Sequence, residues 1–424
     1  VAAIEGKPAR PSRIVEPFIL TALLSLVGGT LWMWVRYRLF LGYFYSPEFL
    51  AMTHLVTLGF VTSLMMGVLL KLAPMSLGVS PRSALLARVQ FVMFFVGAAG
   101  MVYHFWIAEW NGLAWATLLV LGAAIAQLYN FSAIWKRVVS GDWVARYVAA
   151  SLLYLVLAAA LGVLLGFNKS LAGGTGLLAG RFTSNLFAHV HLAGIGWVTM
   201  MIFGFLLKLV PTTKGRESTL PLRFLLMQGG TLGLAGTLLA DLPGRGLFAL
   251  SLLVAVFWHA WGPVRSFVSG RAREWEVTPL VILCAVSIAG VLLAWDVPPS
   301  ESPFRIRLQF AYGYAGFLGW FVLTIATVAF KLFPIWVWQE RFQPDYGKRS
   351  VPGMKSLYNH RLRFISNLLL TTGVVATVVG ILAVRGEVLV VSLGLVFGGV
   401  VCFVANFFLM ARWALLGLEY KARD

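Results

Sequence analysis

Apolar runs of about twenty residues, uncharged or nearly so, recur along the whole chain and constrain its fold more than any other feature. About twenty residues of α-helix cross the roughly 30 Å of hydrocarbon in a bilayer. Inside that hydrocarbon a backbone amide finds no partner outside its own helix or a closed barrel. Twelve such runs occur, at about 14–36, 49–72, 88–108, 113–135, 146–167, 185–210, 222–241, 246–265, 277–296, 308–333, 363–384 and 387–411. With 59% hydrophobic and only 12% charged residues, the expected fold is an all-α polytopic membrane protein in a lipid bilayer, not a water-soluble domain.

One of these runs is repeated. The segment AHVHLAGIGWVTMMIFGFLLKLVP places His191 ahead of Gly196, Gly204, Lys208, Leu209 and Pro211. The same offsets take His54 to Gly59, Gly67, Lys71, Leu72 and Pro74. In the third copy Tyr314 stands at the histidine position before Gly319, Lys331, Leu332 and Pro334, and Thr327 replaces the second glycine. Two residues earlier the copies read Met52, His189 and Tyr312, so only the second has His-x-His. Each copy lies on the second helix of a group of four. The chain therefore divides into four-helix repeats at 1–141, 142–275 and 276–424, expected to form one pseudo-threefold transmembrane domain.

The formal charge of +18 is not a nucleic-acid signal, because the basic residues sit at alternate ends of the spans with no basic-aromatic surface. One side takes Lys7, Arg10, Arg13, Arg82, Lys136, Arg137, Lys214, Arg216, Arg271, Arg273 and the loop from Arg341 to Arg363. The other has little beyond Arg36, Arg38, Lys169, Arg181, Arg245, Arg305, Arg307 and Arg385. The positive-inside rule puts both termini in the cytoplasm, as in a bacterial-type inner membrane. Part of the basic charge is expected to meet anionic headgroups. The N-terminal stretch to Pro17 reads as a polar lead and not a signal sequence. Cys284 and Cys402 form neither a disulfide framework nor a CxxC motif.

With that orientation His54, His189 and His191 lie toward the outer leaflet, and the three lysines of the repeat lie at the cytoplasmic boundary, where they can snorkel while the prolines end the helices. Histidine inside a span is costly when charged and is a functional hypothesis by default. A lone one is often just an interhelical hydrogen bond. Two at one depth on equivalent helices favour a ligand role, since neutral imidazole binds iron, copper or zinc. His189 and His191 diverge by roughly 200° around a regular helix, so they serve two clefts, one facing His54 and one facing elsewhere. Gly59 and Gly196 let either a neighbouring helix or a flat macrocycle approach. His104 reads as interfacial, His259 as a polar interhelical contact, and His360 as part of a basic loop.

Together these features resemble subunit I of the heme-copper oxidases, with AHVHLAGIGW as the closest local match; the general design is also similar to NnrS-type heme- and copper-containing membrane proteins. The second-helix histidine of the oxidases, a low-spin heme ligand, corresponds to His54. The tenth helix here reads Tyr312-Gly313-Tyr314 where that family has His-x-His, and the seventh lacks the histidine pair expected for copper. The resemblance therefore implies heme b binding without a complete oxygen-reducing centre. The implied ligands are His54 and His191, with His189 as a second-site candidate and copper as a further possibility. Arg36, Arg38 or Arg181 would pair with heme propionates.

Three functions remain open at this point. The first is an electron-transferring heme subunit working with other redox subunits such as a cytochrome. The second is a gas-reactive heme or heme-copper enzyme using Tyr312 or Tyr314. The third is a cofactor-free transporter or assembly scaffold.

Overall fold

The computed structural model describes residues 14–171, 178, 181–210, 217–270 and 277–415. Among them twelve helices are long and apolar enough to cross a membrane: α1 (Val15–Val35), α2 (Pro47–Leu77), α3 (Ala84–Trp106), α4 (Trp110–Asn130), α5 (Trp143–Ser170), α6 (Phe182–Leu209), α7 (Glu217–Ala240), α8 (Arg245–Val268), α9 (Val277–Ala294), α10 (Pro303–Arg341), α11 (His360–Ala383) and α12 (Gly386–Trp413). The chain is a helical, multi-pass membrane protein. Lys7, Arg10, Arg13, Pro211, Lys214, Arg216, Arg271 and Arg273 lie outside the described residues.

Helix starts are written in short polar side chains. Ser46 accepts a hydrogen bond from the Phe49 amide (3.3 Å) ahead of Pro47, and Ser302 accepts from Phe304 (3.3 Å) ahead of Pro303. Serine supplies the missing acceptor, and proline loses nothing at a position whose N–H has no helical partner. Asp142 caps α5 through Ala145 (3.2 Å) and Glu109 caps α4.

The repeat prolines do not end their helices as expected. Pro74 and Pro334 lie inside α2 and α10, which run on to Leu77 and Arg341. What stops α2 is Gly78, at φ +65°, whose N–H donates to Pro74 O (3.1 Å). A glycine tolerates that left-handed conformation without a Cβ clash, whereas a proline removes only one hydrogen bond from a helix that packing still holds.

The three copies share a local backbone feature that hydropathy does not encode. Leu55–Thr62, Leu192–Thr199 and Ala315–Val322 are π-helical, each beginning at the residue after His54, His191 or Tyr314. Runs of π-helix this long are rare, and shorter ones cluster at functional sites. The segments meet through side chains that repeat the same offsets. Trp197 Nε1 donates to Thr62 Oγ1 (3.3 Å), and Trp320 Nε1 donates to Thr199 Oγ1 (2.9 Å).

The repeat lysines also join copies, which goes beyond the expected snorkelling. Lys71 is ion-paired with Glu340 on α10, and Lys208 donates to the Ser76 carbonyl at the end of α2. In the basic loop after α10, Asp345 is ion-paired with Arg349 and Arg341, and the Arg349 hydrogen bond holds its carboxyl below the ordinary aspartate value.

Candidate functional site

A cavity of about 560 Å³ opens among α2, α5, α6, α9 and α10, and His54, His189 and His191 all lie on its wall. That volume falls in the range of roughly 300–1,000 Å³ usual for small-molecule sites. Most of the wall is apolar, including Leu58, Phe105, Leu155, Leu238, Val286 and Phe317.

Each of the three rings is held by its Nδ1. His54 Nδ1 lies 2.8 Å from Leu50 O, His189 Nδ1 lies 2.9 Å from Ala158 O, and His191 Nδ1 lies 2.7 Å from Phe187 O. A carbonyl oxygen only accepts, so Nδ1 carries the proton in all three, and a neutral ring then keeps its lone pair on Nε2. This is the outer-shell arrangement that fixes the tautomer and orientation of a ligating histidine. His54 also stacks on Phe105, with centroids 4.7 Å apart.

The His-x-His pair diverges as its helical spacing requires. His189 reaches α5, where the space left by Gly162 admits its ring, and it lies within electrostatic reach of His54. His191 turns to the third copy, and its Nε2 accepts a hydrogen bond from the Tyr312 hydroxyl (3.1 Å). His189 thus lies on the α5 side of the cavity and His191 on the α10 side. Among the described residues no three His, Cys, Asp or Glu side chains converge closely enough to hold a metal ion alone.

Gly59 and Gly196 serve helix packing and do not face the cavity. A Cβ on Gly59 would meet Ser25 Cβ of α1 at 2.6 Å, and one on Gly196 would meet Tyr154 Cγ of α5 at 2.5 Å. Gly67 and Gly204 meet Phe18 and Tyr147 of the same two helices. Glycine at these offsets brings the second helix of a repeat against the first.

The expected arginines are also placed elsewhere. Arg36 pairs with Glu48 (2.7 Å) and is half exposed, Arg38 lies beside the Tyr37 hydroxyl (3.3 Å), and Arg181 is exposed near Leu239 O (3.5 Å). The cations on the cavity wall are instead Lys169, Arg245 and Arg305. All three come from the sparsely charged side of the sequence.

The remaining histidines have structural partners. His104 Nδ1 lies 2.9 Å from Glu109, over Gly112. His259 holds Nδ1–H on Ala255 O (2.8 Å), accepts at Nε2 from Tyr147 OH (3.0 Å) and stacks on Phe203 at 4.3 Å. His360 is exposed, with Nε2 on Lys355 O (2.9 Å). In comparisons with known proteins, no family model and no curated sequence matches this chain.

Proposed function

We propose that this protein is a heme b-binding membrane subunit that passes electrons through its heme, which His54 and His189 would hold. The observation that carries the reading is the pair of imidazoles on one apolar cavity wall, each with Nδ1–H fixed on a carbonyl and Nε2 left as the lone pair. The donor set suits a macrocycle. A porphyrin brings four nitrogens of its own and asks the protein for one or two more, so the want of a three-ligand cluster among the described residues does not count against it.

When bound, the heme supplies reversible one-electron transfer. The chain's own residues fix the two imidazoles, exclude water with apolar side chains and set a low dielectric, the levers by which a protein tunes such a group. The three copies would stand around a pseudo-threefold axis, with both termini cytoplasmic and the cavity toward the outer leaflet of a bacterial-type inner membrane. The electron partners would be other redox subunits, such as a cytochrome.

The test is a reduced-minus-oxidised visible spectrum of the detergent-purified chain loaded with hemin. A sharp bis-imidazole signal, insensitive to carbon monoxide, is expected in the parent and in His191→Ala, and is expected to be lost in His54→Ala and His189→Ala. Loss in His191→Ala with retention in His189→Ala would reassign the ligand. No signal in the parent would overturn the heme reading and leave a transporter or scaffold. A second reading, a gas-reactive heme enzyme, is favoured by the Tyr312 hydroxyl on His191, a proton donor on the same cavity. A signal that shifts with carbon monoxide would put it first.

A further inference from the structure

The three cations on the cavity wall are not equivalent. Arg245 is ion-paired with Asp241, and Arg305 with Asp296 (2.8 Å) while also donating to Pro298 O (2.7 Å) and Leu293 O (2.9 Å). Lys169, in the last turn of α5, is held by aromatic faces instead. Its Nζ lies 3.9 Å from the ring centre of Trp110, 5.0 Å from Tyr45 and 5.9 Å from Phe182. No acidic residue occurs in the sequence between Asp142 and Glu217. On the packed elements, Glu48 is taken by Arg36, and Glu109 by His104 and the Asn111 and Gly112 amides.

Aromatic faces hold an ammonium in place but do not neutralise it, and an uncompensated charge beside an apolar cavity favours an anion. Its surroundings are donors. The Tyr45 and Ser184 side chains line the same cavity, and burial pushes the Tyr45 phenol's pKa up so that it keeps its proton. Ser184 lies in the first turn of α6, and the start of a helix favours an anion through its dipole.

We propose that Lys169, with the Tyr45 and Ser184 hydroxyls and the first turn of α6, is an anion subsite that anchors a carboxylate of an amphipathic occupant of this cavity. The carboxylate is that of a heme propionate, so the proposal rests on the heme reading for its source; a fatty acid would offer the same chemistry.

The test measures affinities of the full chain in detergent for hemin and hemin dimethyl ester, and for cis-parinaric acid and its methyl ester, by tryptophan fluorescence. The parent is expected to prefer each acid over its ester by about tenfold, the discrimination of one charge-assisted hydrogen bond. Lys169→Met is expected to lose that preference while binding esters like the parent, and Lys169→Arg to keep it. Tyr45→Phe, which retains the cage ring, reduces it less and serves if Lys169→Met fails to fold. Hemin ligation with a preference that survives Lys169→Met overturns the subsite and spares the heme reading. A Lys169-dependent preference for parinaric acid without hemin ligation supports the subsite and overturns that reading. Binding of neither class overturns both.

Discussion

An imidazole in hydrocarbon is useful when one nitrogen is committed and the other is not, and that division is set here by carbonyls one helical turn away or on the adjacent helix. His54 and His191 use their own turns, Leu50 and Phe187, so their orientation was implicit in the sequence. His189 uses Ala158 on α5, a partner that spacing along α6 does not name. The divergence of His189 and His191 was legible from helical geometry, but the helix each of them would meet was not, because that depends on how three helices are rotated together. The wall cations have the same origin: Lys169 differs from Arg36 or Arg181 only through what surrounds it. Glu109 permits a prediction in the aqueous margin. The Gly112 amide (2.7 Å) and then the Asn111 amide (2.8 Å) hold its carboxyl below the ordinary glutamate value of 4.5. A depressed folded-state pKa stabilises at pH above the unfolded value, and this stabilisation is lost as pH falls through the folded value. Glu109→Gln should therefore lower the unfolding temperature at pH 7, and the difference should shrink as pH falls from the ordinary value of 4.5 and vanish below the depressed folded-state value, as measured by thermal unfolding in detergent at each pH.

At the scale of elements, the spans were legible because twenty apolar residues have few alternatives in lipid. The π-helical segments were not, since an amide bonded five residues back leaves the same hydropathy trace as one bonded four back. The prolines misled for a related reason: packing carries α2 and α10 past them, and α2 stops only at the positive φ of Gly78. Gly59→Ala and Gly196→Ala should each destabilise the protein by about 1–3 kcal/mol, the usual range for overpacking, because the added methyl meets Ser25 or Tyr154. Unfolding in detergent would reveal it, and an unchanged midpoint would mean that α1 or α5 can give way. Trp320→Phe removes one buried hydrogen bond, worth about 1 kcal/mol, together with part of a buried ring, and should cost about 2–3 kcal/mol in all. Coupling with Thr199→Val in a double-mutant cycle would show how much of the loss that bond accounts for.

For the whole molecule, the proposed orientation makes the short turn between α7 and α8 external and the turn between α2 and α3 cytoplasmic. With Cys284 and Cys402 replaced by serine, cysteines introduced singly at 243 and 80 in intact cells should be labelled and protected, respectively, by a membrane-impermeant thiol reagent, and the reverse pattern would invert the topology. The contacts between copies run in one rotational sense. The second copy donates to the first through Trp197 and Lys208, the third to the second through Trp320, and the first reaches the third through Lys71. The third tryptophan link would use Phe60 and Val322, which occupy the matching offsets without a donor or an acceptor. That gap bears on the order in which such a ring can change. Tryptophan at 60 beside Val322 would bury an indole N–H with nothing to receive it, whereas threonine at 322 beside Phe60 can still turn its hydroxyl to its own helix, as Thr199 does toward Gly194 (2.9 Å). Building the missing link is therefore a one-way sequence, acceptor before donor, and losing it runs the same road backward.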